Sequence, residues 1–176
     1  LQQAVVAKIR ELRIENLLDI GCGEGYYTHA MQAEVLQCVG VDIAKNAVQV
    51  AAKLNKNVTW IVGTGATLPV LEKSIDLCSS LFSPIPQQEI LRVLKPQGYL
   101  MVVTPAQGHL YAMREALFEE VNPHEPHKFI QQLEAEFDLV SEQVIDAPLT
   151  LSQQDLKHLI AMTPYAYKAK VERRQA

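Results

Sequence analysis

Cysteine is scarce in this chain: Cys22, Cys38 and Cys78 are the whole complement of 176 residues, widely separated and never in a C-x-x-C pair. An odd, scattered set excludes a disulfide framework and the paired spacing of a zinc site, so the three read as reduced thiols, two of them on buried strands, with no metal expected. Long apolar runs are missing too. Stretches such as 99–103 stop far short of the roughly 18 to 20 residues a membrane span needs, and no basic-apolar-small leader opens the chain. The expectation is a soluble cytoplasmic protein with no membrane partner. Cationic excess is also lacking: the net charge of −4 excludes a protein that grips a polyanion over its whole surface, although Lys168, Lys170, Arg173 and Arg174 crowd the C-terminus. Internal repeats and low-complexity linkers are absent.

What remains is a chain with 48% hydrophobic and 20% charged residues, enough for one domain with a substantial core. Val5, Val6, Ile9 and Leu12 repeat at three and four, which predicts an amphipathic helix over 3–14. Strands are predicted at 17–20, 38–41 (ending at Asp42), 58–62, 74–79, 99–104 and 139–145. Between them the pattern predicts helices at 26–33, 45–54, 86–94, 107–121 and 126–136. Ser152-Gln-Gln-Asp155 reads as a capping box opening a last helix through Met162, which Pro164 ends. Alternation of this kind describes an α/β sandwich around a mostly parallel sheet.

The first predicted strand runs into Gly21, Gly23 and Gly25. A turn at the carboxyl end of a first parallel strand must let a ligand approach the backbone, and glycine permits both that approach and positive φ. The alternative is a tight strand-to-helix turn with no ligand. Dinucleotide sites favour G-x-G-x-x-G, but here the third glycine arrives one residue early and Glu24 stands inside the turn. A carboxylate repels a pyrophosphate and suits a cofactor that carries an ammonium and a sulfonium, as S-adenosylmethionine does. Asp42, about twenty residues on, can accept from both ribose hydroxyls, or alternatively cap the next helix. Asp19, just ahead of the glycines, falls near the methionine end.

The segments LDIGCGEGYYTHA (18–30), VGVD ending at Asp42, GTGATLP (63–69), IDLCSSLFSP (75–84) and VLKPQG (93–98) together resemble the class I S-adenosylmethionine-dependent methyltransferases. The 24–29 run, Thr104-Pro105 with His109, Glu120-Val121 with His124 and His127, and Met162-Thr-Pro-Tyr-Ala166 narrow the resemblance to the bacterial 23S ribosomal RNA (guanine-N1)-methyltransferase family. It implies a Rossmann-like methyltransferase domain over 1–176, with a mostly parallel sheet and helices on both faces. The cofactor implied is S-adenosyl-L-methionine, and the substrate N1 of a guanine in 23S ribosomal RNA. It also leads to the expectation of a catalytic domain without the family's N-terminal zinc module, needed for full RNA binding, and without the last strand of its sheet. Pairing with a second copy stays open.

By the same resemblance Phe82, Ser83 and Pro84 form the acceptor-base pocket, with no general base assigned, and Phe82 as plain core is the alternative. The segment 63–68 lacks the acidic residue often found there, so adenine is expected to meet backbone groups and Thr67 or Leu68. His109 is expected to bind the methionine carboxylate or close the pocket, against an ordinary surface role. The cofactor set is then Asp19, Gly21, Gly23, Glu24, Gly25, Asp42, Thr67, Leu68 and His109. Met162 to Tyr165, followed by Tyr167, Lys168 and Lys170, suits RNA stacking and phosphate contact, or a helix end packed on the sheet. Gln97, where such enzymes commonly have glycine, predicts a type I turn over Lys95 to Gly98. Three other readings compete: a methyltransferase for a small molecule or quinone-like acceptor, a cofactor-binding module without catalysis, and, more remotely, an NAD-dependent oxidoreductase.

Overall fold

Helix and strand alternate through the first hundred residues of the computed structural model, which describes residues 1–118, 123–146, 148 and 150–163. The elements are α1 (Gln2–Leu12), β1 (Asn16–Ile20), α2 (Tyr26–Gln32), β2 (Gln37–Asp42), α3 (Lys45–Leu54), β3 (Thr59–Val62), β4 (Ile75–Leu81), α4 (Gln87–Val93) and β5 (Leu94–Val103). All four strand pairings are parallel, in the order β3-β2-β1-β4-β5. Because parallel crossovers are right-handed, steps toward β2 and β3 put α2 and α3 on one face, and the step from β4 to β5 puts α4 on the other. The order reverses between β1 and β4, so a crevice opens at the carboxyl ends of those strands.

Side-chain alternation explains the core. Leu17, Cys38 and Leu77 stand in register on one face and pack with Val5 and Ile9 of α1 and Met31 of α2. Leu18, Val41 and Cys78 point to the opposite face, where α4 supplies the fully buried Ile90 and Val93. All three cysteines are buried and unpaired, Cys38 and Cys78 on strands, and burial pushes each thiol up to about 12.

The chain divides into two compact units, Leu1–Thr104 and Pro105–Ala176. The second contains α5 (Tyr111–Leu117), α6 (His127–Leu133) and α7 (Gln153–Met162), the first two shorter than predicted. Ser152 caps α7 as expected: its Oγ accepts from the Asp155 amide at 3.1 Å, while its hydroxyl donates to the Asp155 carboxylate at 2.6 Å. The expected end at Pro164 lies outside the described residues.

Two expectations are corrected. Residues 139–145 form no strand: Leu139, Val140 and Val144 are exposed, with no ladder partner among the described residues to complete a sheet around them. The segment 95–98 is not a type I turn. Leu94 pairs with Ile75 and Tyr99 with Leu77, so these residues bulge out against Asp76 alone, and Gln97 takes φ 63°. That left-handed position is one glycine would fill without strain, and the bulge is anchored by the Lys95–Asp76 ion pair at 2.7 Å.

Candidate functional site at the carboxyl ends of the central strands

The three glycines all have positive φ, but each is required for a different reason. The Gly21 amide donates to the Val41 carbonyl at 2.8 Å, and a side chain there would sit 2.4 Å from the Ser83 Cβ. A side chain at Gly25 would strike the Trp60 indole at 2.5 Å and the His29 ring at 2.8 Å. Gly23 alone faces open space, with nothing within 4 Å of a would-be Cβ. Two glycines are thus demanded by packing, while the middle one leaves a free cradle for a ligand. Glu24 beside it is exposed.

Asp42 closes one side of this cradle. Its Oδ2 accepts from the Gly23 amide at 2.9 Å and its Oδ1 from the Ala44 amide at 2.7 Å, so it closes a local turn just ahead of α3 without capping that helix, and is tied to the glycine turn at once. Each oxygen keeps a further lone pair, so a vicinal diol can still be bound. The next residue, Ile43, is 76% exposed, an apolar surface beside a carboxylate that suits a ribose carrying a flat ring. Sequence reasoning missed Ile43, and an isolated isoleucine directly after a strand-ending aspartate was the available signal.

Asp19 does not line the cradle. It is 2% exposed, accepts from Thr28 Oγ1 at 2.5 Å and Ser79 Oγ at 2.8 Å, and so ties β1 to α2 and β4. Burial raises its carboxyl pKa, against the two hydroxyl donors that lower it. Behind the turn stands Trp60, which covers Gly40 in register on the neighbouring strand and donates to the Asn55 carbonyl at 2.8 Å. His29 lies against it at 5.6 Å between ring centroids and meets the Gly25 carbonyl through Nδ1 at 2.5 Å. That Trp60 stands here follows from the register that pairs it with Gly40, which the sequence by itself does not show.

At the end of β4 the backbone turns sharply. Phe82 has φ 58°, a left-handed conformation costing an aromatic residue about 1–2 kcal/mol. Its amide donates to the Val103 carbonyl at 2.9 Å, and its ring is 50% exposed, so it is not core. Pro84 is exposed as well. Ser83 is turned the other way: its hydroxyl donates to the Ile20 carbonyl at 2.6 Å and lies 2.9 Å from the hydroxyl of the wholly buried Ser80.

The loop after β3 is held by a clamp that sequence reasoning also overlooked. Glu89 accepts from the Leu68 amide at 2.6 Å, and Arg92 donates to the Leu68 and Val70 carbonyls at 2.8 and 2.9 Å. The two side chains pair with each other at 2.7 Å, and the Arg92 hydrogen bond is the first cause drawing the Glu89 carboxyl down to about 2. An acid and a base three apart on a helix were the legible sign. Leu68 is therefore buried with both backbone groups engaged, and Thr67 is exposed. Gly65 of the same loop packs near Ile20 and Pro86, which brings the segment to the end of β1.

His109 belongs to the second unit. Its ring centroid is 6.1 Å from that of His124, and burial first, then Arg114, lowers the pKa of both. The aromatic and basic residues from Tyr165 onward lie outside the described residues. Among the described residues no helix is long and apolar enough to cross a membrane.

The chain matches the family described as "Methyltransferase domain" over residues 13–163. It is 30% identical over 155 residues to the 23S rRNA (guanine(748)-N(1))-methyltransferase of Streptomyces fradiae, covering 86% of this chain and 55% of that protein. It is also 30% identical over 143 residues to the biotin biosynthesis bifunctional protein BioHC of Cellvibrio japonicus, covering 74% and 28%. The crystal structure of the YcgJ protein from Bacillus subtilis superposes with a TM-score of 0.67 at 22% identity, over 99% of this chain and 86% of that one, a likeness of fold. This chain spans about half the length of the curated guanine-N1 relatives it matches.

Proposed function

The chain belongs to the methyltransferase domain family and its cofactor is S-adenosyl-L-methionine; from that premise we propose that it methylates N1 of a guanine in 23S ribosomal RNA, in the cytoplasm. The observation that supports the substrate is the likeness to the Streptomyces fradiae enzyme along 86% of the chain.

The residues present fit the cofactor. The open face at Gly23 receives its backbone-hugging portion, Gly21 and Gly25 hold that turn in shape, and Glu24 offers negative charge to the ammonium and sulfonium. Asp42 accepts from the ribose hydroxyls, Ile43 supports the adenine ring, and the loop of Thr67 and Leu68 borders it, with Leu68 acting through packing because its amide is already engaged. Asp19 braces the turn from behind. The bound cofactor supplies a methyl group activated by its sulfonium.

The chain's own task is then placement of the acceptor nitrogen, which accounts for most of the acceleration in an in-line displacement. Phe82 and Pro84 present an exposed apolar surface against which a guanine flipped from its stack can rest. Asp19 is withdrawn from the N1 proton by its burial at 2% exposure between Thr28 and Ser79, and Asp76 is committed to Lys95 and Asn16. Neither is assigned as the general base.

A small-molecule acceptor is the second reading, favoured by the likeness to BioHC and by the acidic net charge. Mapping of reverse-transcriptase stops across ribosomal RNA from cells with and without the gene decides between them, because a methyl on guanine N1 blocks the Watson–Crick edge. A large-subunit stop that vanishes on deletion and returns with the full-length protein is the expected result. An unchanged map overturns the RNA reading.

A further inference from the structure

Ser80 and Ser83 form a directed pair of hydroxyls between two parts of the molecule that methyl transfer must keep in register. Ser83 has one hydroxyl proton, and at 2.6 Å it is given to the Ile20 carbonyl. Its oxygen is then free to accept the proton of Ser80 at 2.9 Å, which Ser80 shares with the Ser83 carbonyl at 3.0 Å. Ser80 is wholly buried, so its proton has no water to turn to.

The acceptor of this pair is no ordinary strand carbonyl. Ile20 and Gly21 share one peptide group: its oxygen takes the Ser83 hydroxyl and its N–H donates to Val41 at 2.8 Å. That peptide is the entrance to the glycine turn, and Ser83 Cβ fills the space a side chain at Gly21 would need. On the other flank the Phe82 amide is tied to Val103 of β5. The left-handed turn carrying the exposed Phe82 ring is therefore bolted to β5 on one side and to the cofactor turn on the other.

We propose that Ser83, backed by Ser80, is a positioning residue that couples the glycine turn to the Phe82 turn, so that a cofactor seated on the former rigidifies the latter before the acceptor arrives. The inference rests on the cofactor reading above and is independent of which acceptor the enzyme uses. It moves Ser83 from the surface that touches the base to the joint behind it, leaving Phe82 and Pro84 as the contact.

Hydrogen–deuterium exchange of the full-length protein, with and without saturating S-adenosylhomocysteine, tests this without any acceptor. In the wild type the ligand should slow amides of 21–25 and also those of Phe82, Ser83 and Ile85, the latter about fivefold or more, the lower range of measured coupling between sites. In Ser83→Ala the protection at 21–25 should persist while that at 82–85 falls away. Should Ser83→Ala fail to fold, Ser80→Ala leaves the bond to Ile20 in place and should show partial loss at 82–85. Equal protection of 82–85 in wild type and variant, or none in the wild type, overturns the coupling. Absence of protection at 21–25 in the wild type overturns the cofactor reading along with it.

Discussion

Alanine at Gly23 and alanine at Gly25 should fail in opposite ways. Both sites have left-handed backbone, φ 53° and φ 82°, so either substitution costs about 1–2 kcal/mol of stability from conformation alone. At Gly23 that is the whole penalty in the free protein, because nothing lies within 4 Å of the new Cβ. For a chain of this size the melting temperature should fall by about 2–8 °C. At Gly25 the methyl group meets the Trp60 ring at 2.5 Å, and the ring is held by its bond to Asn55 and cannot swing clear. Overpacking of this sort adds about 1–3 kcal/mol, for a total fall of about 4–20 °C. Ligand binding reverses the order. The Gly23 methyl occupies the open cradle, and the same 1–3 kcal/mol of conflict, now against the cofactor, weakens S-adenosylhomocysteine about 5- to 150-fold. Thermal unfolding followed by calorimetric titration measures both quantities on the same samples. A Gly23→Ala protein that binds like wild type would refute the assignment of the open face to the cofactor. A Gly25→Ala protein no less stable than Gly23→Ala would refute the packing argument.

Other outcomes follow from groups outside the cradle. Gln97→Gly should raise the melting temperature by about 2–4 °C, since glycine relieves roughly 1 kcal/mol of left-handed strain in the β5 bulge; a lower melting temperature would mean that the Gln97 side chain contributes more than its backbone conformation loses. The Arg92 hydrogen bond draws the Glu89 carboxyl down from the 4.5 of a free glutamate to about 2, so its contribution is complete above 4.5 and is lost as pH falls toward 2. The stability gap between wild type and Glu89→Gln should accordingly close over that window, and a gap constant from pH 6 to 2 would contradict the clamp on Leu68. Cys22, Cys38 and Cys78 should resist a thiol reagent at pH 8 in the native protein and react together on denaturation, because burial both shields them and pushes each thiol up to about 12. Rapid labelling of Cys22 in the native chain would show that the glycine turn opens.

Much of the site was legible in one dimension because it is local. Three glycines alternating over five residues, a carboxylate among them and an aspartate at the next strand end are features of short segments, and period-two and period-3.6 hydrophobicity located the strands and helices of the first unit to within a few residues. The strand expected at 139–145 failed because an apolar, β-prone segment becomes a strand only when another edge accepts its hydrogen bonds, and local pattern says nothing about that edge. The turn at Gln97 failed for a related reason. Its conformation is set by the register on either side, where Leu94 and Tyr99 are held by Ile75 and Leu77, and this overrides the preference of the four residues themselves.

The sequence alone determined that a parallel α/β sheet leads into a glycine turn with a carboxylate inside it, since backbone freedom, charge and period are properties of neighbours along the chain. Tertiary structure alone decided that Gly21 yields to Ser83, that Gly25 yields to Trp60 and that, of the three, only Gly23 faces open space. It also decided that Asp19 is a buried brace bonded to Ser79 and that Ser83 serves the Ile20 carbonyl. Those partners stand 60 and 63 residues apart in the chain. Only the sheet order that sets β1 beside β4 brings them within hydrogen-bonding distance.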